Sequence, residues 1–283
     1  MYYGVLTLCA ILFGSQFLFT KMYNDAYGND LKAMCVSAAG GSLVGIIILA
    51  IINGFSLGCT PFSLIMAIIN TVNGNLFLFC SLKSLGKINL SLYSVFSMIG
   101  GMALPFITGI LLYNEPLTTG KAVCFLFITL AIMLTFEKGE KAKGGIYYIG
   151  IFVFNGMSGV ISKLYTDMPF EKVPAAEYSI LCAVVNLVVS LIILLFLRKI
   201  KRPLNSKAVI SIIGNGVLGR VANYLLLICL LYLPASAQYP FITGGTMVVS
   251  TVLSCIINQK PSKKEVLSVI LSMAGLISLV IIK

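Results

Sequence analysis

The sequence predicts an all-α membrane protein with ten transmembrane helices, arranged as two inverted repeats of five helices each. Three observations lead to this fold class: an apolar composition, ten apolar stretches of spanning length, and a second half that resembles the first. Of the 283 residues, 59% are hydrophobic and 10% are charged, and the mean hydropathy is +1.02. This composition is typical of a multi-pass membrane protein rather than of a soluble domain with a polar surface.

The spans follow from the positions of charged residues, Pro, Gly and Asn, which separate apolar stretches of about 20 residues. The first stretch lacks the basic start and the cleavage site of a secretory signal, so we expect it to be a span. All connections are short, the longest being about ten residues, so the chemistry of the chain is expected within the bilayer or at its rims. The ten predicted spans are 2–21, 31–53, 62–82, 90–113, 119–136, 146–166, 175–197, 208–231, 236–258 and 265–282.

The positive charge of the chain predicts its orientation. There are 20 Lys and Arg residues, and the loops that follow the odd-numbered spans contain 15 of them. Cytoplasmic loops are enriched in these residues, so both termini are expected outside a cell (inner) membrane. The net charge of +11 is thus explained by membrane insertion among lipids, and we expect no nucleic-acid partner.

Several function classes lack support in the sequence. The eight cysteines are scattered singly, and the chain contains no histidine, so we expect small packing residues and no metal or other cofactor. No nucleophile–base or paired-carboxylate arrangement occurs within the spans, so we do not expect an enzyme. No GxxxxGK[ST] loop supports ATP-driven transport.

The internal repeat appears when the sequence is shifted by 145 residues. The shift pairs Asn70 with Asn215, and it also pairs Gly100 of the fourth span with Gly245 of the ninth. We therefore divide the chain into repeats 1–137 and 146–283. Because each repeat has an odd number of spans, the halves must cross the membrane in opposite senses, which is the architecture of alternating-access transporters.

Two segments resemble a known family. "FGSQFLFTK" (residues 13–21) is similar to the first-span signature of the EamA-like branch of the drug/metabolite transporter superfamily. "SLYSVFSMIGGMALPFITGILLYNEPLTTGKAVCFLFITLAIML" is similar to its fourth and fifth spans, with Pro105 in the fourth and Glu115 at its end. Two features depart from the family pattern: the chain has no tryptophan, and Lys260 occupies the position in the second repeat that corresponds to Glu115.

The resemblance implies a central cavity lined by the first, third, fourth, sixth, eighth and ninth spans. These spans carry most of the polar residues, whereas the second, fifth and tenth are nearly featureless and are expected to face lipid or a partner. Small polar side chains also pack helices together, and Asn side chains also bond helices to each other, so both alternatives stay open. The candidate substrate-binding residues are Arg220, Asn223, Asn75, Asn70, Gln16, Asn215, Thr243 and Thr246.

Arg220 is the strongest candidate because a charge at the centre of a span is costly, by about 2.5–3.5 kcal/mol on insertion scales. The nine acidic residues all lie in loops or near span ends, so none is placed to neutralise it. Arg220 then binds an anionic group of a substrate, or braces neighbouring helices through carbonyls and water, or lies nearer the surface on a tilted helix.

We therefore expect a secondary transporter that exports or exchanges a small anionic or zwitterionic metabolite, such as an amino acid, a carboxylate or a phosphate compound. The alternatives are efflux of cationic drugs and flipping of a lipid-linked substrate. Proton-driven drug efflux commonly uses a carboxylate within the membrane, and Glu177, near the start of the seventh span, is the nearest candidate for one. A small-molecule substrate and membrane lipids are the expected partners, and a homodimer remains open.

Overall fold

The computed structural model describes residues 2–28, 30–85, 90–134, 145–197, 203–256 and 263–282, and these residues contain helices and no strands. The helices correspond to the predicted spans, with ends that differ by a few residues. Their bounds are α1 Tyr2–Tyr27, α2 Leu31–Ile52, α3 Pro61–Leu85, α4 Leu90–Leu112, α5 Thr119–Leu134, α6 Gly145–Asp167, α7 Ala175–Phe196, α8 Ser206–Leu230, α9 Ala235–Ile256 and α10 Lys263–Ile281.

The largest difference concerns α1, which ends at Tyr27 and not at the predicted residue 21. Its 26 residues span about 39 Å, so the helix is longer than the apolar layer of a bilayer. Lys21 consequently lies on a helix, where its side chain is exposed, and not in a loop.

Local signals in the sequence start several helices. The side chain of Asp30 accepts a hydrogen bond from the Ala33 amide at the start of α2. Asn205 does the same for Ala208 at the start of α8. Such caps satisfy amides that the first helical turn leaves without partners. Pro61 is the first residue of α3, a position where the missing N–H costs nothing.

The helices pack in a pattern that relates the two halves of the chain. α1 packs against α8 and α9, and α6 packs against α3 and α4. Three further contacts also join a helix of the first half to one of the second: α2 with α7, α4 with α9, and α5 with α10.

Large apolar side chains cover much of the outer surface. Leu111 is 71% exposed and Phe196 is 85% exposed, while a buried cluster joins Leu6, Met102 and Ile128 from α1, α4 and α5. Within the described residues, α1, α2, α3, α7 and α8 are long and apolar enough to cross a membrane by length and composition, and shorter apolar helices occur at 96–112, 119–134 and 266–279.

The expectation that α2 faces lipid or a partner describes only one side of this helix. Leu43, Ile47 and Ile51 are 52–57% exposed, but the opposite side of α2 packs against both α7 and α8. Its Ser42 side chain is completely buried. The small residues of α2 explain this: Gly41 lies where α2 crosses α8, and a Cβ atom at Gly216 would lie only 2.9 Å from the Gly41 Cα.

Candidate functional site

Three cavities surround the middle of α8. Cavity A, of about 270 Å³, lies among α3, α6, α7 and α8. Cavity B, of about 370 Å³, is lined mainly by α1, α2 and α8. Cavity C, of about 440 Å³, is lined by α1, α3, α4, α6, α8 and α9. Asn223 lines all three, so the cavities meet at this point of the helix.

Arg220 lies between cavities A and B and lines both. Its Nη2 donates a hydrogen bond of 2.7 Å to the Ser42 hydroxyl on α2. A guanidinium group has five N–H donors. Among the described residues, the Ser42 hydroxyl is the one acceptor to which Arg220 donates. Most of the donors are therefore left for water or a ligand.

The neighbours of Arg220 fix its direction. Asn186 on α7 donates a hydrogen bond of 2.9 Å to the same Ser42 hydroxyl, so α2, α7 and α8 meet at one oxygen atom. Gly45 makes room for the arginine stem, because a Cβ atom there would overlap the Arg220 Cγ. The position of the guanidinium thus depends on two small residues of α2, one turn apart.

The cavities carry an unbalanced positive charge. Two ion pairs occur among the described residues, and both involve Lys163 rather than Arg220. No Asp or Glu of the described part of the chain lines cavity A, B or C, and Arg220 is the charged residue among their linings. Among the described residues, no carboxylate forms an ion pair with Arg220.

Cavity A is rich in asparagine. The Asn70 amide donates to the Cys182 sulfur, and that of Asn73 donates to the Phe154 carbonyl. The others donate to Ser97, Ser42 and Gly219. Each Nδ2 thus has a protein acceptor for at least one of its two N–H groups, whereas the amide oxygens accept no hydrogen bond from the described residues and are available to a ligand. The five asparagines that line this cavity are Asn70, Asn73, Asn155, Asn186 and Asn223.

Cavity B contains a hydrogen-bonded chain between α1 and α8. Gln16 donates to the Asn215 side-chain oxygen at 2.7 Å, and Asn215 donates to the Thr20 hydroxyl at 2.8 Å. These two predicted site residues therefore hold α1 against α8 as well as lining the cavity, as the helix-bonding alternative for Asn allows.

Cavity C has a different character, since aromatic and aliphatic side chains such as Phe13, Phe77 and Ile242 line it. Thr243 and Thr246 also belong to its wall. The Thr246 hydroxyl is buried and has no hydrogen-bond partner.

The structure brings seven of the eight predicted site residues to these cavities. Asn75 is the exception, because it is not among their lining residues and its amide donates to the Thr71 carbonyl of its own helix. Sequence reasoning also missed Ser42 and Asn186. Ser42 gave little signal, since it is one small residue in an apolar span, whereas Asn186 is a polar residue near the middle of α7 that could have been noticed. Substrate binding by these residues remains a prediction.

Glu115 lies outside the cavities and holds the start of α9. Its two carboxylate oxygens accept hydrogen bonds from the Ala235 and Ser236 amides at 2.8 and 2.9 Å, and Lys163 lies 3.5 Å away. Burial raises the pKa of this carboxyl, but the hydrogen bonds from Ser236 and Ala235 and the charge of Lys163 outweigh burial and hold the pKa below its ordinary value. Its counterpart Lys260 lies outside the described residues.

Glu177 is also engaged away from the cavities. It is 7% exposed, and it accepts a hydrogen bond of 2.8 Å from the Ser56 hydroxyl in the loop between α2 and α3. This contact joins that loop to the first turn of α7, so Glu177 has a structural role there.

Comparison with known proteins decides the family. Residues 142–281 match the EamA-like transporter family, and a solved structure matches the fold over 98% of this chain. The chain contains an EamA-like domain. This confirms the family resemblance seen in the sequence. The EamA family implies an integral, multi-pass membrane transporter of the drug/metabolite transporter superfamily, and its members are transporters rather than enzymes.

The structural relative defines how far this similarity extends. The crystal structure aligned with the EamA-like chain has a TM-score of 0.79 and 15% sequence identity, and the alignment covers 98% of this chain and 95% of the other. At that identity the match shows a shared fold and no more. In all, 29 solved chains match significantly, whereas no curated protein sequence does.

Proposed function

We propose that this EamA-like protein is a secondary transporter that exports or exchanges a small anionic or zwitterionic metabolite by alternating access. One observation carries the proposal: Arg220 lies at the meeting point of two cavities that no Asp or Glu of the described residues lines. An arginine within a membrane is retained where it has a partner, water or a function. A carboxylate or phosphate group of a substrate matches the planar fork of the guanidinium.

The asparagines of cavity A support a substrate that also carries hydrogen-bond donors. Their amide nitrogens donate to protein acceptors, and their amide oxygens accept nothing from the described residues, so these oxygens can accept hydrogen bonds from an ammonium or hydroxyl group. A zwitterion with its carboxylate on Arg220 and its ammonium group near Asn70 or Asn223 fits this arrangement.

The packing pattern supports alternating access by two inverted repeats. In the proposed repeats, α1 corresponds to α6, α3 to α8 and α4 to α9. The contacts of α1 with α8 and α9 therefore correspond to the contacts of α6 with α3 and α4. Along α8, cavity B reaches residues 215–219, whereas cavity A reaches Leu227. Arg220 thus lies between two cavities along α8, which is the position that a site reached alternately from two sides requires. The first proposed repeat ends at residue 137 and the second begins at residue 146. Residues 135–144, which include the end of the first repeat, lie outside the described part of the chain.

The carboxylates of the described residues favour exchange or facilitated export over proton-coupled efflux of cations. Glu115 and Glu177 are bonded to backbone amides and to Ser56, and neither lines the three cavities. A cationic drug would therefore meet Arg220 without a balancing carboxylate. We also propose the cell (inner) membrane as its location, with the orientation that the positive-inside pattern predicts.

Ligand-induced thermal stabilisation of the purified protein tests this function. We expect anionic or zwitterionic members of a metabolite panel to raise the melting temperature of the wild type and to lose this effect in Arg220→Gln. Lys21→Gln is the matched control, because it removes an exposed cation from α1. Stabilisation by cationic compounds that is equal in the wild type and in Arg220→Gln would overturn the proposal.

A further inference from the structure

Cavity C continues from the arginine site. It shares Phe77, Asn155, Ser158, Ser162 and Asn223 with cavity A. Asn223 follows Arg220 by three residues, a rise of about 4.5 Å along the helix. A molecule bound to Arg220 can therefore extend directly into cavity C.

Apolar side chains form a large part of the wall of cavity C. Phe13, Phe77, Met98, Leu226 and Ile242 contribute apolar side chains from five helices. At about 440 Å³, the cavity is larger than cavity A, and it contains no described charged residue.

The polar residues of this wall direct their donors into the protein. Asn155 donates to both the carbonyl and the hydroxyl of Ser97, and the Tyr239 hydroxyl bonds to the Gly159 carbonyl. Gln16 donates to Asn215. Apolar side chains therefore supply most of the contact that cavity C offers to a ligand, beside the amide oxygens of Asn155 and Asn223 and the Thr246 hydroxyl, which has no partner among the described residues.

We infer that the transported substrate is amphipathic: an anionic group binds Arg220 in cavity A, and a compact apolar body fills cavity C. This inference rests on the proposed function and names its substrate class. It commits to a body of bounded size, because cavity C measures about 440 Å³. A long lipid chain shares the same head chemistry but exceeds such a space.

A series of carboxylates in which only the apolar body changes tests the inference. Acetate, butanoate, hexanoate and 4-phenylbutanoate are titrated calorimetrically into the protein in lipid nanodiscs, with 4-phenylbutanamide as the uncharged match. We expect the dissociation constant to fall roughly fourfold per buried methylene and then to level off as cavity C fills. Hexadecanoate, which keeps the carboxylate head, tests the lipid source, since a fall in the dissociation constant that continues to this ligand would overturn the bounded body.

A pair of variants locates the effect. Thr243→Leu reduces the volume of cavity C, and we expect it to reduce the ratio of acetate to 4-phenylbutanoate dissociation constants by roughly tenfold. Thr7→Leu makes the same change at an exposed residue of α1 and is expected to leave the ratio as in the wild type. Correct folding of both is checked by their melting temperatures.

The outcomes separate this inference from the function on which it rests. Carboxylate binding that depends on Arg220 but not on chain length, or a ratio that Thr243→Leu leaves unchanged, would overturn the amphipathic substrate alone. Binding of every carboxylate by Arg220→Gln as tightly as by the wild type would overturn the proposed function itself.

Discussion

Ser42 controls how the Arg220 guanidinium is presented to the cavities. It accepts hydrogen bonds from both Arg220 and Asn186, and a hydrogen bond to a charged group contributes about 1.5–3 kcal/mol. We expect Ser42→Ala to weaken binding of an anionic ligand by roughly tenfold, because the guanidinium loses its fixed direction. The measurement is the ligand dissociation constant of the purified variant.

The matched control for this change is Ser211→Ala. Ser211 is also fully buried, but its hydroxyl bonds to the Lys207 carbonyl of its own helix and it does not line the three cavities. Equal ligand affinity in Ser42→Ala and the wild type would show that Ser42 has no part in positioning Arg220.

Gly45 is a second residue on which the position of Arg220 depends. An added methyl group there would overlap the Cγ atom of Arg220, so Gly45→Ala must displace the arginine stem or separate α2 from α8. We expect a loss of anion affinity. In Gly4→Ala, where nothing lies within 4 Å of the added atom, affinity should stay as in the wild type. Identical affinities in these two glycine variants would contradict the packing described for α2 and α8.

At the scale of helices, Glu115 ties the loop after α4 to the start of α9. Its pKa lies below the ordinary value of 4.5, so the ionised form is the one that stabilises the fold. Its contribution is therefore complete above the ordinary value and is lost as pH falls through the lower pKa of the folded protein. We expect Glu115→Gln to lower the melting temperature near neutral pH, by roughly 2–4 °C for a loss of about 1 kcal/mol.

Melting temperatures measured over a range of pH test the role of Glu115 at the start of α9. The difference in melting temperature between the wild type and Glu115→Gln should shrink as pH decreases below about 4.5. Glu171→Gln, which changes an exposed acidic residue, serves as the control. A difference that grows on acidification would have the wrong sign for a carboxylate with a lowered pKa.

The helices themselves were predictable because the bilayer requires long apolar stretches and the loops interrupt them. It was less predictable which side of each helix faces a cavity and which side packs against another helix. Polar residues at helical spacing placed Arg220 and Asn223 on a cavity, but Asn75 bonds within its own helix, an alternative that spacing cannot distinguish. The role of α2 was hidden because one serine and several glycines look featureless in sequence, although they allow the closest approach to α8.

For the whole molecule, orientation is the property on which the direction of transport depends. The excess of Lys and Arg in one set of loops predicts that both termini lie outside the cell. A reporter fused after Lys283 is expected to be active only if it requires an extracellular environment. Activity of a cytoplasm-dependent reporter at the same position would reverse the orientation.

The pairing of equivalent helices around a central arginine makes Arg220 the centre of the transport proposal. Uptake of a labelled ligand from the panel into proteoliposomes is measured for the wild type, Arg220→Lys and Arg220→Gln, each checked for insertion and folding. We predict that Arg220→Gln abolishes uptake and that Arg220→Lys keeps part of it, because lysine preserves the charge but not the two-pronged geometry. Unchanged uptake in both variants would contradict the account.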